Sequence, residues 1–321
     1  MRRILPIVIA VVLLGGGFAI WATSGSGSRP IANLDAPVTT TMSGAPILDP
    51  VVSLPPTTTT VPPTTTTTVR PTTTKATPKP VAHPKVVSAP AGSRTFTFVN
   101  DVHQTIWLAG WQQTANPALT TSGWVLPAGG QVTVVVPDKW NGRFWGRTGC
   151  TFNSAGKGHC ATGDCGGVFQ CKGYGGIPAT LAEYNLNSFD NLDFYDVSMV
   201  DGSNLPMYIN ITKGGTKDKI SSTGCIAAGC TKPVACPAEL VVAGGAGCES
   251  ACAKLGGDQL CCRGQWAARS ACDPTKWQPE DYAAVFKKAE PCACSYVDDD
   301  ATSTFTCTGE CDYRITFGTT P

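Results

Sequence analysis

The chain has 321 residues and a nearly balanced charge, 24 Lys and Arg against 23 Asp and Glu. Seven of the basic residues but only two of the acidic ones lie in residues 1–92, so the remainder is mildly acidic. No basic stripe remains that could serve as a nucleic-acid footprint.

The N-terminus pairs Arg2 and Arg3 with an apolar run from Ile4 to Ala22. That run is close to bilayer-spanning length, and its positive flank predicts export of everything that follows. Residues 1–23 are therefore read as a signal peptide or a transmembrane signal anchor. A cut near Ala22–Ser24 gives the first; the length of the run favours the second, while Gly15-Gly16-Gly17 weakens it as a helix. Residues 24–92 turn to Thr, Pro, Ser and Val, with runs such as Thr57–Thr60 and Thr64–Thr68. Such a segment buries too little apolar surface to offset its ordering entropy, and proline keeps it extended. It is predicted to be a disordered stalk, a composition also found where stalks carry O-glycans. Residues 93–321 form the folded domain.

Alternating segments begin at once: Thr95–Asn100, Thr105–Ala109, Gln131–Val136, Pro206–Thr212 and Tyr313–Phe317 each read as half-buried strands. Gly, Asn and Asp turns separate them. A single helix is predicted over Gln278–Ala289, with Pro279 in the first turn, acids at Glu280 and Asp281, and Lys287-Lys288 at the end. The fold class is all-β with disulfide-rich insertions. All 16 cysteines follow residue 149, an even number behind an export segment, which points to an oxidising compartment and disulfides. Zinc is the weaker reading. Cys261-Cys262 and Cys248-x-x-x-Cys252 are not knuckles, and His83, His103 and His159 are scattered. No metal and no cofactor is expected.

The stretch Gly156-Lys-Gly-His-Cys-Ala-Thr-Gly-Asp-Cys-Gly-Gly-Val-Phe-Gln-Cys171 resembles the signature of thaumatin-like proteins. The blocks Phe144–Cys150, Thr180–Tyr184, Asp193–Gly202 and Thr304–Cys307 are similar to the same family, so the likeness runs from about Arg94 to Phe317. It implies an antiparallel β-sandwich flanked by a disulfide-rich helical lobe and a small two-disulfide loop lobe, with a cleft between the sandwich and the helical lobe. It also implies the pairs Cys150–Cys160, Cys165–Cys171, Cys225–Cys307, Cys236–Cys248, Cys252–Cys261 and Cys262–Cys272. Two departures stand out. The family's bridge between first and last strands is absent, its positions reading Val102 and Gly318. The family's cysteine after the last helix is replaced by Glu290, with Cys292 and Cys294 following. Cys230–Cys292 and Cys294–Cys311 are expected there, with Cys230–Cys294 and Cys292–Cys311 as the alternative.

Antifungal members of the family carry an acidic cleft of one Arg, one Glu and three Asp. The resemblance places these at Arg147, Glu183, Asp196, Asp201 and one of Asp298-Asp299-Asp300. Asp299 is the best match and Asp300 the second. Converging carboxylates repel, so at least one should hold its proton more tightly, and an arginine among them lowers that cost. Each residue also has a plain structural reading: Arg147 as a buried partner of Glu183, Asp196 and Asp201 as turn formers, and Asp298–Asp300 as a solvated loop. Asp164 is read as structural, and no G-x-S-x-G motif supports serine hydrolysis.

The expected function is binding of a polysaccharide such as β-1,3-glucan by a monomeric, surface-anchored or secreted defence protein with antifungal character. One alternative is a weak endo-β-1,3-glucanase, a glycoside hydrolase in which Glu183 is the acid and Asp201 its partner. Another is a structural envelope protein. No nucleic-acid partner is expected.

Overall fold

In a computed structural model of the chain, residues 89–113, 117–216, 218, 228–229 and 232–320 are described. The expected leader, nearly all of the stalk, and Cys225 and Cys230 lie outside them. Among the described residues no helix is long and apolar enough to cross a membrane.

Twelve strands dominate the described residues. They are β1 (Ser93–Asn100), β2 (Ile106–Gln112), β3 (Gly123–Leu126), β4 (Gln131–Pro137), β5 (Asn141–Arg147), β6 (Thr151–Phe152), β7 (Gly158–His159), β8 (Leu181–Asn185), β9 (Leu192–Ser198), β10 (Met207–Gly215), β11 (Ala228–Gly229) and β12 (Phe305–Phe317). Apolar alternation makes β1 a strand: Phe96 and Phe98 point inward, and Thr95 and Thr97 are half-exposed. Hydrogen-bonded order runs β3-β2-β5-β8-β9-β12-β10-β11, with β1 joining β12 to β4.

The long strand β12 explains how one ladder becomes a sandwich. Its first residues pair with β9, Phe305 opposite Tyr195. Its last residues lie between β10 and β1, with Ile315 opposite both Ile209 and Phe98. The β1–β12 pairing is parallel, against an otherwise antiparallel sheet. The parallel register ends at Asn100↔Phe317, and the Asp101 amide donates to the Phe317 carbonyl at 2.9 Å. Backbone pairing thus holds the first and last strands together beside Val102 and Gly318. Between the layers, Phe96 packs 4.6 Å from Tyr184 and 5.7 Å from Phe144, and Tyr184 lies 5.1 Å from Tyr313. Such pairs add about 0.5–1.5 kcal/mol each beyond their area burial.

A buried ion pair pins the entry of β1. Arg94 donates to both oxygens of Asp193 at 3.0 and 3.1 Å, and Asp193 also accepts from the Tyr313 hydroxyl and the Asn187 amide.

Two lobes extend from the sandwich. The loop lobe spans residues 148–176 and contains Cys150–Cys160 and Cys165–Cys171. Asp164 organises it by accepting from the amides of Cys160 and Gly167 and pairing with His159. Burial works to raise the Asp164 pKa, but the His159 and backbone hydrogen bonds outweigh it and hold the carboxylate below its ordinary value. The second lobe contains Cys236–Cys248, Cys252–Cys261 and Cys262–Cys272, with helices α1 (Ala251–Leu255), α2 (Tyr282–Ala289) and α3 (Asp300–Ser303). The predicted helix from Gln278 starts four residues later, because Asp281 caps it by accepting from the Ala284 amide.

Near the C-terminus the disulfides depart from those the resemblance implies. Cys307 is joined to Cys311, which replaces both Cys225–Cys307 and Cys294–Cys311 and excludes Cys292–Cys311. Cys294 is a free, buried thiol, which excludes Cys230–Cys294. Cys292 is disulfide-bonded, and its partner lies outside the described residues. The cause of the Cys307–Cys311 bond is a register shift: Lys213 faces Asp312 and Gly215 faces Thr308, so three residues of β12 bulge opposite Gly214. The bulge folds β12 back far enough to bring the two Cα atoms to 6.4 Å. Gly214 makes room for it, since a Cβ there would sit 2.5 Å from the Cys311 sulfur.

Candidate functional site

On antiparallel strands, residues directly opposite share a face. The register sets Trp111 opposite Arg143, Arg143 opposite Glu183, and Glu183 opposite Asp196. A row of one aromatic, one cation and two carboxyls therefore crosses β2, β5, β8 and β9. Arg143 Nε lies 3.3 Å from Glu183 Oε1, and Nη1 donates to Asp201 Oδ2 at 3.2 Å from the turn after β9. Burial acts to lower the Arg143 pKa, but Glu183 and Asp201 outweigh it and raise it above the ordinary value. Tyr174, from the loop lobe, places its ring 4.4 Å from the Arg143 guanidinium carbon and stays 37% exposed.

Asp196 differs from its neighbours. It is 5% exposed, and its Oδ1 is sealed from solvent without a hydrogen-bond partner. Burial, then the charges of Glu183 and Asp300, push its pKa well above the ordinary aspartate value, and Arg143 only partly opposes them. Asp300 begins α3 and is paired with Arg269. Asp298 beside it is raised by burial and by Asp300, against the pull of Arg269. The second lobe reaches this row through backbone bonds: the Cys294 amide donates to the Val197 carbonyl, and the Met199 amide to the Cys294 carbonyl, both at 2.8 Å.

Glu183, Asp196 and Asp201 thus come together around a single arginine. That arginine is Arg143, not Arg147. Both lie on the same face of β5, four residues apart. The loop lobe covers one end of that face and buries Arg147, which donates to the carbonyls of Trp107, Val168 and Phe169 and packs beside the mutually touching rings of Phe152 and Phe169, 5.3 and 5.5 Å from their centroids. Burial lowers the Arg147 pKa to about 10, with Asp164 opposing, so it remains a cation at neutral pH. Asp299 also turns away from the row. Its carboxylate accepts from the amide and hydroxyl of Ser295 and the hydroxyl of Thr302 and pairs with Lys287 at 2.8 Å. Of the three consecutive aspartates, Asp300 is the one that acts on Asp196.

Nothing in the sequence singles out Trp111 or Tyr174. The alternation in Thr105–Ala109 stopped two residues short of Trp111, and nothing local to Tyr174 signals that its loop folds over β5. A group of potential metal ligands among the described residues, Cys262, Cys272 and Asp298, includes both sulfurs of a disulfide and so offers one carboxylate.

Residues 100–319 match the model of the Thaumatin family. The chain is 43% identical over 236 residues to pathogenesis-related thaumatin-like protein 3.5 of Cryptomeria japonica, covering 72% of this chain and 92% of that protein. It is 43% identical over 231 residues to thaumatin-like protein 1 of Arabidopsis thaliana, covering 70% of this chain and 85% of that one. Among solved structures, a family 64 laminaripentaose-producing β-1,3-glucanase from Paenibacillus barengoltzii complexed with laminarihexaose aligns at a TM-score of 0.47 and 13% identity, covering 72% of this chain and 76% of that chain. A likeness that low transfers nothing about activity.

Proposed function

We propose that this chain, which belongs to the thaumatin family, is an exported defence protein that holds a polysaccharide such as β-1,3-glucan along the row from Trp111 to Asp196. The observation that carries the reading is Arg143 clamped between Glu183 and Asp201 at 3.3 and 3.2 Å. Ionised carboxylates accept hydrogen bonds from sugar hydroxyls, and the partly exposed rings of Trp111 and Tyr174 offer flat apolar surface to a sugar ring. Residues 1–23 would deliver the domain outside the cell, as a cleaved leader or as an anchor, with residues 24–92 as its stalk.

The geometry favours binding over hydrolysis by Glu183 and Asp201. Both are already engaged by the same cation, Arg143, whereas a glycosidase needs one carboxyl placed to reach the scissile oxygen as an acid. The test uses the intact chain. It is spun with insoluble β-1,3-glucan while the supernatant is assayed for new reducing ends. Depletion of protein without sugar release is the expected result. Sugar release that vanishes in Glu183→Gln would establish a glucanase instead. Neither depletion nor release would remove β-1,3-glucan from the reading.

A further inference from the structure

Three carboxyl groups stand around Arg143, but only two are compensated by it. Glu183 and Asp201 take its contacts. Asp196 has no ion-pair partner and no hydrogen-bond donor to its side chain among the described residues. It is more deeply buried than either of the others, at 5% exposure. The ionisable groups around it are mostly acids: Glu183 opposite on β8, Asp300 from α3, the Cys294 thiol from the segment bonded to β9, and the Tyr184 hydroxyl on the core side. Among the described residues, Arg143 is the one cation that acts on it, from beyond Glu183. An uncompensated carboxylate in such a place is costly, and the group avoids that cost by keeping its proton.

We propose that Asp196 is the proton-bearing carboxyl of this site and that Glu183, paired with Arg143, accepts beside it, so that the two present a hydrogen-bond donor next to an acceptor and select a neutral polyol chain over an anionic one. The inference rests on the polysaccharide reading and sharpens it. A sugar hydroxyl both donates and accepts, which suits a carboxylate next to a carboxylic acid. A uronic-acid polymer would bring a further negative charge against Glu183 and Asp201. Deprotonating Asp196 would remove the donor and add an uncompensated negative charge, so binding should weaken as pH rises. The role of proton carrier also passes from Glu183 to Asp196, in keeping with paired carboxyls whose surroundings drive their affinities for protons apart.

Two measurements on the intact chain test this. The first follows the carboxyl carbon of Asp196 by 13C NMR through a pH titration, with the resonance identified by its loss in Asp196→Asn. A midpoint well above those of the exposed aspartates supports the proposal, and a midpoint among them overturns it. This readout does not depend on any glycan. The second compares sedimentation with β-1,3-glucan at about pH 5 and about pH 8. Wild type should lose about tenfold in affinity at the higher pH, equivalent to one unit of pKa linkage. Asp196→Asn, a neutral mimic with a donor in place, should stay within about twofold across the same range. Equal pH dependence in both proteins overturns the donor role. If no glucan is retained at any pH while Asp196 titrates high, the glucan reading fails and the proton assignment stands.

Discussion

Glu183 and Asp196 face each other across β8 and β9, yet Arg143 forms an ion pair with Glu183 at 3.3 Å and none with Asp196. One cation therefore compensates one of two adjacent carboxyls and leaves the more deeply buried one without a partner. Much of what can be measured on this site follows from that asymmetry.

The first consequence is a pH dependence of stability. The Asp196 pKa in the folded state lies well above the ordinary value of 3.8, chiefly because of burial. The folded chain therefore binds a proton that the unfolded chain has already released, and stability falls as pH rises from the ordinary aspartate value through the folded-state value. The contribution is fully present below that window and lost above it. Asp196→Asn removes the titration. Urea unfolding of both proteins across pH 4–8 should show wild type losing stability relative to the variant as pH rises. Parallel curves would mean that Asp196 is ionised in the fold.

The two arginines of β5 should separate in experiment as they do in space. Arg147→Ala leaves three backbone carbonyls in the loop lobe and β2 without their donors, at about 1–3 kcal/mol for each carbonyl left unsatisfied. Unfolding midpoints should drop accordingly. Arg143→Gln should cost less stability, because Arg143 touches carboxylates that keep some access to water, 17% for Glu183 and 22% for Asp201. Its effect should appear as altered glycan binding measured by sedimentation.

These arginines also mark how far the sequence is legible. Alternation located β1, β4 and the end of β12, because period-two burial is written locally. The family resemblance names Glu183, Asp196 and Asp201; the register of β8 against β9 sets the first two side by side, and Asp201 follows in the turn after β9. Arg143 and Arg147 have the same period, the same strand and the same face. What distinguishes them is coverage by residues 148–176, a tertiary fact with no local trace. The consecutive aspartates posed the same difficulty. Only the turn between Ser295 and α3 decides that Asp299 points inward to Ser295 and Lys287 while Asp300 acts on Asp196.

Asp299 and Asp300 therefore make a second contrast. Asp299→Asn breaks a buried ion pair with Lys287 and disturbs bonds to Ser295 and Thr302, so it should destabilise by about 1–3 kcal/mol while leaving glucan retention near wild type. Asp300→Asn should do the reverse. It removes a negative charge that acts on Asp196, so the Asp196 midpoint in the NMR titration should move down, with little change in unfolding midpoint. If Asp299→Asn abolishes retention in a protein that still unfolds cooperatively, Asp299 belongs to the site after all.

The cysteines near the C-terminus give a chemical test of the fold's departure from the pairing the family implies. Cys294 is buried and unpaired, and burial followed by the charges of Asp196 and Asp299 raises its thiol pKa well above the ordinary value. Thiolate is the reactive species, so burial and a raised pKa both slow alkylation. Iodoacetamide at neutral pH should leave Cys294 unmodified in the folded chain and label it once urea unfolds the protein without reductant. Non-reducing peptide mapping of the same sample should recover Cys307 and Cys311 within one short cross-linked loop. A peptide joining Cys294 to Cys311 would place the bond between two segments rather than within β12, and the bulge opposite Gly214 would then not be what brings the bonded cysteines together.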